Sequence, residues 1–547
     1  METLRKNQRL NKVEQIKLER HPLEVRDAVI KTYSKRGIEA LNEVPGEYER
    51  LKWVGIYPQN QGGNAFMLRI KIPGGVLSSE QARAIGQIAI DFAHGPIPNP
   101  HFGNNFLDLT TRQDIQMHWI KMENVPEIWR RLEEVGMTTV QACGDSARNV
   151  LCCPVSGLGH DEVIDAYPVA QAISDYFTGN REYANLPRKF KMSVTGCVED
   201  CAQAEINDIG MLPARLEDGT LGFNVRVGGG LSDGPRMASD IDIFVRPEEA
   251  VEITRGIAQV FGELGDRENR WICRMRYLVQ ELGPEGFREE LEKRTAFELT
   301  PAGEDLTKHY RGDHVGVHAQ KEEGLYYVGL NVPVGRMSGE QFVEAARLAG
   351  EYGGEIRLAT DQNFIITGVE EERLDDLLAE PLLQRYSPNP GAFERGVVAC
   401  TGSEFCRFGI VETKIRAVEW AREMDERVGD DIGQEAIRMH FSGCSASCAQ
   451  PQIGDIGFRG ETAKTRDAIV EGVDIGLGGS LGRDAAFIDW VEGAKPADDV
   501  PDALVAVFEK FKDERREGER FHEWARRRPN KELRAALRSA GKNRGRG

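Results

Sequence analysis

The chain has 547 residues, of which 40% are hydrophobic and 29% charged, and its formal net charge is −18. This length exceeds a single core, so several domains are expected, and the composition is that of a soluble globular protein. The acidic balance argues against non-specific nucleic-acid binding, and a polar start with no run of ~18 apolar residues argues against a membrane span or export signal, so a cytoplasmic location is expected.

Residues 1–45 are charged and mildly amphipathic, with breaks at Pro22 and Pro45, and read as an N-terminal helical arm. Phe66, Leu68, Ile70 and Ile72 then alternate as one face of a strand that ends at Pro73-Gly74-Gly75. Ser78-Ser79-Glu80-Gln81 is a capping-box start, and Ile85, Ile88, Ala89 and Phe92 carry the stripe of the helix that follows. A second strand through Leu107 and Leu109 leads into Thr110-Thr111-Arg112-Gln113.

The same order returns later in the chain. Tyr326, Val328, Leu330 and Val332 alternate, Ser338-Gly339-Glu340-Gln341 repeats the capping box, and Thr360-Asp361-Gln362 falls where Thr111-Arg112-Gln113 stood. The first copy carries extra residues around His94 to Gly103. Further on, Ala142-Cys143-Gly144 matches Ala399-Cys400-Thr401, Thr195 through Gln203 matches Ser442 through Gln450, and Gly228 through Leu231 matches Gly478 through Leu481. The chain is therefore read as two long homologous halves and not as a solenoid. Pro496-Ala497-Asp498-Asp499 precedes a helical stretch through Leu504, Phe508 and Phe511, and the arginine-rich end from Arg526 reads as a frayed basic tail.

Ten cysteines in a chain without an export signal point to reduced thiols and metal ligation. Four of them form two tight pairs, Cys400 with Cys406 and Cys444 with Cys448, which is what an iron–sulfur cluster needs. The spacing C-x5-C then C-x3-C fits neither the common ferredoxin runs nor the C-x2-C pairs of structural zinc sites. Extended to Ala399–Lys414 and Ser442–Gly457, these two stretches resemble the cluster-binding segments of the sirohaem-dependent nitrite and sulfite reductases.

That resemblance implies an internally duplicated α+β fold. Two ferredoxin-like half-domains, 46–122 and 310–375, would form one shared unit, with two larger α/β sirohaem and cluster domains at 123–300 and 390–515 and a basic tail at 516–547. It implies a [4Fe–4S] cluster on Cys400, Cys406, Cys444 and Cys448, the last also ligating the iron of sirohaem. In the first half Cys143, Cys197 and Cys201 stand at three of these positions, but Asn149 stands opposite Cys406, so they read as a relic of duplication.

Four basic residues match family motifs for holding the substrate anion and supplying protons: Arg112, Arg148, Lys189 and Lys191. If Phe190, Met192 and Val194 line one face of a strand, Lys189 and Lys191 share the other, where two ammonium groups side by side favour an anion or the loss of a proton. The resemblance assigns sirohaem donors to Thr110, Thr111, Gln113, Gln116, His118 and Asn149, and to the glycine-rich turns at Gly228 to Arg236 and Gly478 to Arg483, with Gly229, Arg236, Gly479 and Arg483 among them. There is no dinucleotide-binding fingerprint, so electrons are expected from reduced ferredoxin, with the protein acting as a monomer.

The implied reaction is the assimilatory six-electron reduction of nitrite to ammonia, with sulfite to sulfide as the alternative. A sirohaem electron-transfer protein without reductase activity is a remote third reading. Cys-Thr-Gly at Cys400 and Arg148-Asn149 resemble the nitrite branch, as does Ser146, where ferredoxin-linked sulfite reductases tend to carry cysteine. Lys191 and His118 lean toward the sulfite branch.

Overall fold

The computed structural model describes residues 9–308, 312–429, 432 and 436–539. Three hydrophobic cores organise it, and the first is common to both halves of the chain.

That shared core is built by two five-stranded antiparallel sheets. One runs in the order Ile56–Pro58, Phe66–Ile70, Ile115–Ile120, Phe106–Leu109 and then Arg336–Ser338; the other runs Gly316–Ala319, Leu325–Leu330, Phe364–Glu370, Glu355–Leu358 and then Val76–Ser78. Each sheet is thus closed by a short strand from the opposite half, with Met337 in register with Leu107 and Leu77 in register with Ile356. Phe66, Leu68 and Ile70 are fully buried, as their alternation predicts.

The helices Ser79–Phe92 and Gly339–Tyr352 each start with a complete capping box, on Ser78 with Gln81 and on Ser338 with Gln341. They cross at Gly86 and Gly339. A Cβ on either glycine would lie 2.9 Å from the other's carbonyl oxygen, so backbones meet where side chains would normally stand. Replacing Gly86 with valine should cost ~1–3 kcal/mol through overpacking, read as a lower urea midpoint. After the first helix the chain takes 93–105 to reach its next strand, whereas after the second only Gly353 and Gly354 intervene. The insertion inferred from the repeat lies there.

Each larger domain holds a mixed sheet of matching topology. Ala147–Cys152, Phe190–Val194 and Ile209–Arg215 run parallel, and Leu221–Val227 and Ser239–Val245 return antiparallel; Val397–Ala399, Met439–Ser442, Ile456–Lys464, Ile469–Leu477 and Asp489–Pro496 repeat the pattern. Parallel strands need covered faces. The helices Tyr167–Phe177 and Ala250–Leu264 contribute to one core, Lys414–Val428 and Val500–Glu514 to the other.

The two ends of the chain are more structured than their composition suggests. In the arm, Asn11 caps the helix Lys12–Glu19, which lays Lys17 and Glu14 into a buried ion network with Asp145 and Arg267. The reading of a frayed tail from Arg526 is corrected as far as residue 539. Phe521 and Trp524 are fully buried, Leu533 and Leu537 complete the third core, and Arg526 bonds Gly478 O and Ser480 Oγ at 2.6 Å. Buried aromatics at helical spacing outweigh the charge of the residues between them. Among the described residues no helix is long and apolar enough to cross a membrane.

Candidate active site

The two halves meet on a pseudo-twofold axis marked by paired glutamines. Gln203 and Gln450, both left-handed with φ near 60°, exchange side-chain hydrogen bonds of 3.0 and 2.5 Å. Gln113 donates to Cys152 O at 2.9 Å and accepts from Cys152 N at 2.9 Å; Gln362 does the same with Ala399 at 3.0 and 2.9 Å. Thr111 Oγ donates to Cys448 O at 3.1 Å, and Thr360 Oγ to Cys201 O at 2.9 Å.

These clamps correct one match made on the sequence. If Cys152 is the counterpart of Ala399, then Cys153, and not Cys143, stands where Cys400 stands. Asn149 falls inside the strand Ala147–Cys152 instead of opposite Cys406. A three-residue Ala-Cys-Gly match is too short to fix register, whereas the end of a strand held by a bidentate glutamine is unambiguous. Cys143 accepts a hydrogen bond from Arg69 Nη1 at 3.3 Å.

In the second half, Cys400 follows the strand Val397–Ala399, Cys406 ends the turn of helix Gly402–Phe405, and Cys444 and Cys448 lie in the turn after Met439–Ser442. Backbone N–H groups of Gly443 and Gly402 point at Cys400 Sγ from 3.2 and 3.4 Å. Burial pushes the Cys400 thiol up to about 12 and those of Cys406 and Cys444 upward, so they would stay protonated unless a metal drew the proton off. Two loops offering four thiols with backbone donors around them fit an iron–sulfur cluster.

Behind this loop stands a buried wall. Arg336 pairs with Asp108 and Glu404, each at 2.6 Å at closest, and lies over the rings of Phe106 and Phe405. His118 belongs to this wall. Its ring stacks on Phe405 at 3.9 Å, and Nε2 lies 3.3 Å from Asp108 and 3.4 Å from Thr401 Oγ.

The cations come from the first half. Arg112 donates to Asn207 Oδ1 at 2.9 Å and to Asn149 O at 2.6 Å, while its Nε is buried without a partner. Arg148 donates to Gly144 O at 2.9 Å and Ala142 O at 3.3 Å, which fixes the guanidinium against backbone, and it has no carboxylate partner among the described residues. Lys189 and Lys191 have no side-chain hydrogen bond or ion pair among the described residues, and both are half-buried. Burial, then the charge of Arg274, brings Lys189 down to about 7, although Cys448 pulls the other way; burial and Arg112 hold Lys191 well below the usual lysine range. Arg112 itself is lowered to about 10 by burial and Arg148. Cations outnumber the carboxylates of Asp114 and Asp208 in this pocket, and anions would make up the difference.

Sequence reasoning missed several members of this pocket. Arg69, on the strand Phe66–Ile70, is held charged by Cys143, Tyr57, Asp114 and Cys448 despite burial. Its place between the buried Leu68 and Ile70 was a usable signal, because period 2 puts it on the face opposite the core. Arg274 joins Asp208 at 3.1 Å, and Asp208 accepts from Lys191 N at 2.9 Å. Burial raises the Asp114 carboxyl to about 6 against Arg69 and Arg112, which makes it a second group able to exchange a proton near neutrality.

The expected sirohaem donors divide. Gln116 pairs in register with Arg69 and shares its face, and Thr110 Oγ accepts from the backbone of Arg112 and Asp114 at 3.2 Å. Thr111 holds the Cys448 loop, as above. Gly229 and Gly479 sit where a Cβ would come within 2.5 Å of Glu205 O and Gly454 O, so these turns press backbone on backbone. Arg236 donates to Gln280 Oε1 at 2.6 Å and Arg483 to Asp305 O at 2.8 Å. The Gln113 amide is engaged with Gly74 O, Cys152 O and Leu358 O, and His118 Nε2 with its wall, while His118 Nδ1 is buried without a partner. Asn149 Nδ2 is likewise taken by Ile72 O and Arg112 O, with Oδ1 left buried and unpartnered. Unpartnered polar atoms on Arg112, Asn149, Arg274 and Arg276 around one pocket fit a polycarboxylate macrocycle.

The chain matches the model of the nitrite and sulphite reductase 4Fe-4S domain at residues 143–299 and 391–543, and that of the nitrite/sulfite reductase ferredoxin-like half domain at 57–135 and 318–383. It belongs to the nitrite and sulphite reductase family. Within this family it is 43% identical to an assimilatory ferredoxin-dependent nitrite reductase of Haloferax mediterranei, over 94% of this chain and 91% of that one. It is 40% identical to a ferredoxin–nitrite reductase of Synechococcus elongatus, over 91% and 96%. The solved structure of the NirA protein of Mycobacterium tuberculosis superposes with a TM-score of 0.89 at 33% identity, covering 97% of this chain and 99% of that one. Two matches of each family model in one chain agree with the duplication read from the repeat.

Proposed function

We propose that this protein is a monomeric, cytoplasmic ferredoxin-dependent nitrite reductase that carries nitrite through six electrons to ammonia. The observation that carries the reading is one centre made by both halves, with Cys448 of the second half acting on Lys189 and Arg69 of the first, where cations outnumber carboxylates. Full-length likeness to nitrite reductases that use ferredoxin supports the donor and the substrate.

Cys400, Cys406, Cys444 and Cys448 would hold the [4Fe–4S] cluster, with Cys448 also ligating sirohaem, and these groups would supply stored electrons and an iron site for the anion. The chain's own part is electrostatic and protonic. Arg112 and Arg148 are fixed by carbonyl acceptors, so their charge needs no reorganisation when the anion arrives. Lys189 and Lys191 take protons more readily once an anion neutralises the pocket, and give them up as water and ammonia form. Lys189, brought down to about 7, can make that transfer in either direction.

A pH dependence follows. Lys189 titrates at about 7, so its protonated fraction falls as pH rises through that value. In the free enzyme kcat/KM for nitrite should fall about tenfold per pH unit above this point. Lys189→Arg, charged throughout, should flatten the limb, and an unchanged profile would remove Lys189 from the assignment. Steady-state oxidation of reduced methyl viologen with nitrite and sulfite side by side tests the substrate. A higher kcat/KM for sulfite would overturn the nitrite reading.

A further inference from the structure

The pseudo-twofold axis gives the four-cysteine site a counterpart, and that counterpart is furnished. Cys153 follows its strand as Cys400 follows the equivalent one, and Cys197 and Cys201 occupy the places of Cys444 and Cys448. Their sulfurs lie within 4.8 Å of one another, with Cys197 Sγ 3.2 Å from Cys201 Sγ. A fourth ligand atom comes from outside the domain. His314, just before the strand Gly316–Ala319, puts Nε2 at 3.0 Å from Cys201 Sγ and 3.9 Å from Cys153 Sγ. All three thiols are buried, at 2, 5 and 3% exposure, and Tyr327 places its hydroxyl 3.5 Å from the other nitrogen of His314.

We propose that Cys153, Cys197, Cys201 and His314 bind a single zinc ion, a structural metal centre separate from the cluster and the sirohaem. The size of the site argues for one ion. A tetrahedral zinc with Zn–S of about 2.3 Å and Zn–N of about 2.0 Å sets its ligands about 3.5–3.8 Å apart. The three sulfurs, all within 4.8 Å of one another, are near that spacing, while His314, at 3.0 and 3.9 Å from Cys201 and Cys153, stands outside the group by its distance from Cys197, so its ring would swing toward Cys197 on closing the shell. A cubane would drive its thiolates much farther apart, and among the described residues the cluster cysteines form no such tight group. Three sulfurs and one imidazole are a borderline-soft, closed set of the kind that structural zinc takes, and the Tyr327 hydroxyl is placed to orient the imidazole.

The ion would work as a staple. Cys153, Cys197 and Cys201 belong to the first large domain, while His314 lies on the crossing that enters the second ferredoxin-like sheet. Thr360 Oγ of that sheet already holds Cys201 O at 2.9 Å. Zinc would fix the crossing against the first domain, at the place where the second half has its electron-carrying group.

Elemental analysis of the holoenzyme by plasma mass spectrometry should give close to one zinc per chain, beyond the iron of cluster and sirohaem. Zinc K-edge absorption of the same sample should give three sulfurs and one nitrogen at tetrahedral distances. In His314→Ala and Cys153→Ala zinc should fall by at least half while the visible bands of sirohaem and cluster persist. Wild-type protein without zinc overturns the proposal, and so does a Cys197–Cys201 disulfide in peptide mapping, an extra iron per chain in place of zinc in the elemental analysis, or a zinc shell lacking the imidazole. The wild-type spectra decide the matter even if neither variant folds.

Discussion

Replacing Cys448 with serine is expected to abolish nitrite reduction by reduced viologen, with a loss well beyond the ~10–100-fold that removal of a supporting partner costs at a metal site. Cys448 is the most exposed of the four cluster cysteines, at the end of a turn whose backbone Thr111 of the first half holds at 3.1 Å. Its charge acts on Lys189 and Arg69, so it lies between the second half's thiols and the first half's cations. Serine keeps the backbone and the Thr111 bond but offers a hard hydroxyl in place of a thiolate. The electron paramagnetic resonance of the reduced variant should lose the coupling between cluster and haem, or the haem itself. Near-normal turnover would show that the cations face some other group.

Arg112→Ala should act in the opposite way, by cutting kcat/KM for nitrite ~10²–10³-fold, the usual cost of one preorganised oxyanion donor, while the cluster signal stays intact. Arg112 touches Asn207 and Asn149 and none of the four cluster cysteines. Its removal leaves those acceptors without a donor at ~1–3 kcal/mol, so a modest drop in urea midpoint should accompany the kinetic loss. Arg112→Lys should recover part of the rate, because it restores charge without the two-pronged grip. Loss of the cluster in Arg112→Ala would mean that the halves' roles had been assigned the wrong way round.

What was legible in the sequence follows the range of the physics. The capping boxes at Ser78 and Ser338 and the buried faces of Phe66–Ile70 and of the paired helices are local patterns, and they stand as read. Matching Cys143 to Cys400 failed because register between the halves is set by Gln113 and Gln362, which reach strand ends far away in the chain. His314 carried no signal at all. It stands between Asp313 and Val315 with no motif around it, and only the fold brings it to Cys201. Likewise Gln113, which resembles a ligand in one dimension, fastens three backbone carbonyls in three, while His118 fastens its wall through Nε2 and keeps Nδ1 buried without a partner. The arginine-rich end misled because charge was weighed above Phe521 and Trp524, whose spacing already described a buried helix face.

The exchange of edge strands between the two small sheets has a consequence for synthesis. The strand Phe106–Leu109 pairs on its outer side only with Arg336–Ser338, about 230 residues further on, which at 5–20 residues per second is roughly 10–50 s of translation. Throughout that interval the nascent first half carries an open sheet edge and half of a core. Neither half can reach its native form alone, and a ribosome stalled between them would release a sticky fragment. Pulse-labelled chains should therefore become protease-resistant in the first half only after the second capping box has emerged.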